Sequence, residues 1–229
     1  MGSADRSLGA PARAREEAPQ PARVVVGVLL CGGRSARMGS DKAGLVVGGR
    51  VLMDYPLRVL REVADEVVLA CGPQPRYAEL GLALALDGPA DGGPLAGLVA
   101  GLEAARERGA DWSVVLACDM PRAEARVLRA LLQRAQERDL DACLLGLARG
   151  SQATFAAYHV RCAGPAQAAL AAGERRLVAF HGASAQGRKL RIEVVPAAEL
   201  GASEDLARNL NTPEELEAER AALARGGAR

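Results

Sequence analysis

An apolar run that empties into a glycine-rich, basic loop constrains this chain more than any other stretch. Val24-Val25-Val26-Gly27-Val28-Leu29 leads through Leu30 into Cys31-Gly32-Gly33-Arg34-Ser35-Ala36-Arg37-Met38-Gly39-Ser40-Asp41-Lys42. A buried strand ending at Leu30 therefore runs straight into a loop whose glycines let successive N–H groups turn inward toward an anion. Arg34, Arg37 and Lys42 add positive charge to the same loop, which suits a polyphosphate better than a neutral ligand. A nucleoside triphosphate is the ligand this chemistry implies. The spacing excludes a P-loop, because Ser40 and Asp41 separate Gly39 from Lys42. It also excludes the Gly-x-Gly-x-x-Gly dinucleotide fingerprint.

The rest of the chain fits one α/β domain. Hydrophobic residues make up 49% of it and aromatics only 3%, so Val, Leu and Ala must fill the core. A formal charge of +1 argues against a dedicated nucleic-acid binder. No apolar run reaches the length of a membrane span and no secretory segment is evident. The five cysteines are scattered without a C-x-x-C pair, which argues against a disulfide framework or a structural zinc and for a cytoplasmic protein. Residues 1–23, rich in Ala, Pro, Arg and Glu, read as a disordered leader, with an organellar transit peptide as the alternative that Asp5, Glu16 and Glu17 disfavour. The folded domain is expected over 24–222, with a frayed tail at 223–229.

Within it, strands and helices alternate. Strands are expected at 67–70, 82–86, 113–117, 142–147, 154–160 and 191–195. A hairpin turns on Gly48-Gly49, and helices are expected at 52–63, 94–108, 123–138, 164–172, 174–181 and 213–222. Ligands of open α/β sheets bind beyond the carboxyl ends of the strands. Three glycine- or aspartate-bearing segments fall there: the loop after Leu30, residues 87–97, and Cys118-Asp119-Met120-Pro121.

Asp119 ends an apolar strand and precedes a proline that stops the sheet, so it is either a turn residue or a ligand for magnesium facing the triphosphate. Asp87-Gly88-Pro89-Ala90-Asp91-Gly92-Gly93-Pro94-Leu95-Ala96-Gly97 is a second glycine-rich loop entering a helix, whose N-terminus itself favours anions. Thr212 and Glu215 have the spacing of a capping box, with Pro213 at the first helical position; Asn209 and Asn211 are not needed for it and are candidates for substrate contact. Arg175-Arg176 is either a solvated pair or a substrate contact. His159 and His181 have no partners at ligand or triad spacing.

These segments together resemble the molybdenum cofactor guanylyltransferases. The first loop is similar to their L-x-G-G-x-S-x-R-M-G-x-D-K signature, Gly93-Pro94-Leu95-Ala96-Gly97 to G-P-L-A-G, and Cys118-Asp119-Met120-Pro121 to C-D-x-P. Gly173-Glu174-Arg175-Arg176 is similar to A-G-E-R-R, and residues 209–216 to N-x-N-T-P-E-E-L. The resemblance spans residues 26–216. It implies a three-layer α/β/α, Rossmann-like nucleotidyltransferase fold with a mostly parallel central sheet. It implies transfer of GMP from GTP to the terminal phosphate of molybdopterin, with magnesium as cofactor.

On the GTP side it implies Leu30, Cys31, Gly32, Lys42, Ala70, Asp87 and Asp119. On the molybdopterin side it implies Gly93, Pro94, Leu95, Gly97, Gln152, Arg175, Arg176, Asn209 and Asn211. Arg37, Lys42 and Asp119 would be catalytic, with Asp119 the metal ligand. Partners beyond the substrates would be molybdoenzymes or their chaperones, and the chain is read as a monomer. Three departures stand out: Cys31 for alanine, Ala70 for an asparagine facing the base, and Ala153 for the proline of a Q-P pair. The alternatives are a cytidylyltransferase relative, which carries L-A-A-G and lacks G-P-L-A-G, a glycosyltransferase, which would show D-x-D, and a non-catalytic nucleotide-binding module, which would have lost Lys42, Asp119 or the glycines.

Overall fold

The computed structural model describes residues 24–32, 42–88, 92–210 and 212–226. The expected leader, Arg37 and Asn211 lie outside them. The first strand, β1 (Val25–Leu30), ends where the sequence predicts. A short hairpin follows, β2 (Val46–Val47) and β3 (Arg50–Val51), then α1 (Asp54–Val63), β4 (Glu66–Ala70) and β5 (Ala83–Ala85). Next come α2 (Gly93–Glu107), β6 (Trp112–Ala117), α3 (Ala125–Glu137), β7 (Ala142–Leu147) and β8 (Gly150–His159). The chain closes with α4 (Ala163–Ala171), a hairpin β9 (Ser184–Ala185) and β10 (Arg188–Lys189), β11 (Ile192–Pro196) and α5 (Pro213–Gly226).

Seven strands form one sheet in the order β11-β7-β8-β6-β1-β4-β5. β8 runs antiparallel to both neighbours, β6 and β7, and the other pairings are parallel. Alternation along the strands sorts the core into two layers. Val25 and Leu29 of β1 pack with Leu57 and Leu60 of α1 and Leu128 and Leu131 of α3. Val26, Val28 and Leu30 point the other way, against Leu95, Leu98 and Leu102 of α2 and Ala166 of α4. The three-layer α/β/α arrangement follows from that period of two. α2 lies unusually close to the sheet: a side chain at Gly101 would collide with Val28, so this position holds glycine for space.

The structure differs from the local expectations in four places. Residues 174–181 form turns rather than a helix. Gly173, at φ +90°, ends α4, and the Arg175 carbonyl then accepts the N–H of Leu95, which draws the chain across the start of α2. β8 begins at Gly150, earlier than expected, because it turns back directly from β7 and pairs Leu147 with Gly150. The β9–β10 hairpin turns on Gln186 and Gly187, both at positive φ. α5 also continues past residue 222, into the expected tail.

Chain order reverses beside β1, which has β4 on one side and β6 on the other. That is the switch point where the loops after two adjacent parallel strands diverge and leave a crevice. The chain leaves the sheet there after Leu30 and again after Ala117, on the way to Asp119.

Candidate active site

The ladder runs one residue beyond the strands at this edge. Cys31 N–H donates to the Ala70 carbonyl at 2.8 Å, and Cys118 N–H donates to the Leu30 carbonyl at 3.1 Å. The starts of the two loops are therefore fixed against each other by backbone bonds. Leu30, Cys31 and Gly32 line one pocket together with Lys42, Asp87 and Asp119. Gly93, Pro94 and Gly97, at the entry to α2, line it as well. Residues far apart in sequence thus meet in one cavity at the switch point.

Asp119 sits in the turn after β6, and its Oδ2 lies 3.3 Å from Lys42 Nζ. Both side chains are nearly buried, at 14% and 15% exposed. The other oxygen, Oδ1, is buried with no hydrogen-bond partner among the described residues. Burial pushes the Asp119 carboxyl above its usual range; the Lys42 ammonium and a backbone hydrogen bond pull it down without cancelling, and Glu215 adds to the rise. A buried carboxylate with one unmet oxygen and too little positive charge around it favours a bound cation. No group of three His, Cys, Asp or Glu among the described residues could cage a metal. A lone carboxylate of this kind suits magnesium, which is commonly held by one or two carboxylates plus the oxygens of a bound polyphosphate.

Asp87 follows β5 and presents a second buried oxygen, Oδ1, without a partner among the described residues. Its carboxylate is flanked by glycine: side chains begun at Gly32 and Gly97 would start 3.4 and 3.6 Å from Oδ2. Burial raises the Asp87 pKa, against the pull of a backbone hydrogen bond and of Arg76. Arg76 Nη2 also donates to the Cys31 carbonyl at 2.7 Å, tying this loop to the start of the glycine-rich one. Sequence reasoning missed Arg76, since a lone arginine in a loop carries no spacing signal. Ala70 is fully buried. Its small side chain packs toward Gly97 and offers no polar group.

The entry to α2 is braced from outside the pocket. Gly93 has φ +63°, and a side chain there would begin 3.1 Å from Arg175 Cβ. Glycine is required at this position for both conformation and space. Leu95 belongs to the core: its side chain is fully buried and its N–H bonds the Arg175 carbonyl, so the structure does not bring it to the cavity. The Arg175 guanidinium caps the carbonyls of Leu170 and Glu174, while Arg176 is 76% exposed and pairs with Glu174 at 3.6 Å.

A second, polar pocket gathers Gln152, Asn209 and Glu215 with Arg149 and Arg208. Gln152 Nε2 lies 3.4 Å from Asn209 Oδ1 and 3.1 Å from Thr154 Oγ1. Thr154 also lines the first pocket, so this side chain links the two. Thr154, Arg149 and Arg208 went unnoticed in the sequence. Ala153, in the place of the Q-P proline, is buried, and its carbonyl accepts the Tyr158 hydroxyl at 2.9 Å.

Comparison with known proteins bears on the fold and the family. Residues 27–187 match the family model described as the MobA-like NTP transferase domain. A molybdenum cofactor guanylyltransferase of Pseudomonas entomophila is 36% identical over 82% of this chain and 94% of its own length. One from Pseudomonas putida is 35% identical over 83% of this chain and 94% of its own. Among solved structures, molybdopterin-guanine dinucleotide biosynthesis protein A of Archaeoglobus fulgidus superposes with a TM-score of 0.71 at 23% identity, over 87% of this chain and 99% of that one. That last likeness shows the fold; the family model and the closer sequences show descent. This chain belongs to the molybdenum cofactor guanylyltransferases, a family of MobA-like NTP transferases.

Proposed function

We propose that this nucleotidyltransferase moves GMP from GTP to the terminal phosphate of molybdopterin, releasing pyrophosphate, with Asp119 as the residue that holds magnesium. The observation that carries the reading is a pair of aspartates lining one cavity, each with a buried oxygen that has no partner among the described residues. Asp87 accepts hydrogen bonds from the N1–H and 2-amino group of guanine, a donor pair that cytosine lacks. Asp119 would hold the metal, and Lys42, 3.3 Å from its carboxylate, would meet the oxygens of the triphosphate. Magnesium, when bound, withdraws charge from the phosphate oxygens it touches.

The acceptor phosphate comes from the polar side, where Gln152, Asn209, Arg149 and Arg208 stand together. One of its oxygens forms the new bond to the α-phosphorus of GTP. The bond from that phosphorus to the bridging oxygen of pyrophosphate breaks, and the leaving group takes the electron pair. No general base is required, because a phosphate monoester has a second pKa of about 6 and is already anionic near neutrality. Lys42, joined by Arg37 as the family signature implies, offsets the charge that grows on pyrophosphate. Catalysis of this kind rests on positioning and charge stabilisation.

The test is direct. Purified protein is given magnesium, molybdopterin and each of GTP, CTP, ATP and UTP, and pyrophosphate release and dinucleotide formation are followed. Turnover with GTP well above the others is expected. Equal or faster turnover with CTP overturns the base assignment. Ligand-induced stabilisation gives an independent measure: about 2.7 kcal/mol at a hundredfold excess over Kd, for a nucleotide that binds only the folded state. No described helix is long and apolar enough to cross a membrane.

A further inference from the structure

Asp119 is held from behind by the far end of the chain. Its main-chain carbonyl accepts the N–H of Leu210 at 3.2 Å. Arg122, in the same loop, donates from Nε to both oxygens of Glu219 on α5, at 2.8 and 3.1 Å. The Glu219 side chain is 2% exposed, and Arg122 also lies 3.8 Å from Asp205. A carboxylate this deeply buried is costly unless its partner stays in place, so the pair holds α5 to the Asp119 loop in one register.

The same helix grips the other half of the site. Arg220 donates from Nε and Nη2 to the Val46 carbonyl, at 3.0 and 2.8 Å. Leu210 and Leu216 pack with Val47 and Leu52 in a cluster separate from the two main core layers. That hairpin forms its own two-stranded sheet, unbonded to the seven-stranded one. It is bonded instead to the turn of Lys42: Leu45 N–H donates to the Lys42 carbonyl, and Met53 N–H to that of Ala43. A continuous set of contacts therefore runs from Lys42 through the hairpin to α5, and from α5 through Glu219 and Arg122 to Asp119.

We propose that α5 is a clasp that sets the separation of Lys42 and Asp119, with Arg122 and Glu219 as positioning residues for the metal-binding carboxylate. Neither side chain lines the two substrate pockets, so both act through the loop they hold. The proposal rests on the assignment of Asp119 to magnesium. It adds that the carboxylate's placement is decided by residues on the last helix, at the opposite end of the sequence from the nucleotide loop.

The experiment compares Glu219→Gln, Arg122→Lys and the reversal Arg122→Glu with Glu219→Arg against the parent, with Asp119→Asn run alongside. Three readouts are taken below each protein's melting temperature. They are kcat and KM for GTP, the magnesium concentration giving half-maximal rate, and backbone hydrogen exchange without ligand. Glu219→Gln is expected to lower kcat about tenfold and raise the half-saturating magnesium several-fold, with KM for GTP within about twofold. Exchange should quicken at Leu210 and residues 118–122 while β7 keeps its protection. Arg122→Lys keeps the charge but loses the two-oxygen grip, so it should shift the same readouts less. The reversal should recover most of the loss.

A fall in melting temperature with unchanged magnesium dependence and unchanged kcat per folded molecule overturns the clasp. So does exchange that quickens uniformly. If Asp119→Asn turns over at the parent rate, the metal assignment fails instead. If Asp119→Asn is inactive and Glu219→Gln matches the parent in all three readouts, only the clasp fails.

Discussion

Two aspartates sit buried at opposite ends of the sheet, and their surroundings differ in one respect. Asp141, just before β7, is fully buried with both oxygens satisfied. Arg188 donates to them at 2.7 and 3.0 Å, the Arg191 N–H at 2.7 Å, and Arg161 forms an ion pair at 2.8 Å. Asp119, past the end of β6, has a lysine at 3.3 Å on one oxygen and no partner among the described residues on the other. The first carboxylate is complete, and its arginines pin β7, the β9–β10 hairpin and the start of β11 together. The second, among the described residues, is paired on one oxygen alone. A buried charge left short of partners is costly to the fold, and such sites are where binding and catalysis concentrate.

Exchanging each carboxylate for its amide should therefore separate function from stability. Asp119→Asn is expected to reduce turnover by about 10³-fold, several kcal/mol of transition-state stabilisation, with the fold intact. Asp141→Asn leaves two guanidiniums facing a neutral group and should cost about 3 kcal/mol of stability, while activity per folded molecule persists. Thermal melts and steady-state kinetics on both proteins check this together. Parent turnover in Asp119→Asn, or an unchanged melt in Asp141→Asn, would erase the contrast.

Lys42 sharpens it next. Lys42→Ala should slow transfer by about 10²-fold, roughly 3 kcal/mol, and weaken GTP binding less, since the ammonium matters most where charge builds on pyrophosphate. A lysine that merely screened Asp119 would instead change stability and leave turnover alone. Asp87→Asn is the milder test of the second unmet oxygen. If Asp87 pairs with guanine as proposed, the exchange should cut the preference for GTP over CTP about tenfold, measured as the ratio of kcat/KM, because one of two acceptors is replaced by a donor.

The smallest effect is on the pH dependence of stability. Asp119 has a folded pKa above its ordinary 3.8, so the folded chain binds this proton more tightly than the unfolded one. Its contribution favours the fold below pH 3.8 and is lost as pH rises through the folded value. Ionised Asp119 therefore weakens the metal-free protein near neutrality, and Asp119→Asn should melt slightly higher than the parent there. The difference should shrink toward acid. A variant that melts lower than the parent at neutral pH, without magnesium, would show that Lys42 outweighs burial.

The site was legible where its parts are consecutive. Leu30 to Gly32 and Cys118-Asp119-Met120-Pro121 lie at the ends of strands and the run from Gly93 to Gly97 opens a helix, each in adjacent residues. The capping box was equally local, and the structure forms it: Thr212 N–H donates to Glu215 Oε2 at 3.1 Å and Glu215 N–H to Thr212 Oγ1 at 3.2 Å. Leu95 shows the limit of reading by motif, since it sits within a binding-loop pattern yet faces the core. Arg76, Thr154, Arg122 and Glu219 left no mark in the sequence, because each matters through a partner far along the chain. The same holds for β8, whose reversed direction depends on pairing with both β6 and β7.

What the sequence determined by itself were properties set within a few residues. These are the alternation that splits the core into two layers, the glycines that curl the loops, the prolines and caps that start helices, and the strand ends where a ligand can sit. What only the tertiary structure decided is which charges are satisfied. Asp119 and Asp141 each follow or precede an apolar strand, and although Met120-Pro121 marks the first, no neighbour says which carboxylate is paired. Burial and pairing are sums over residues brought from elsewhere: Lys42 for one, and Arg161, Arg188 and Arg191 for the other. Only the folded chain leaves one of these carboxylates complete and the other, among the described residues, with an oxygen still to be met.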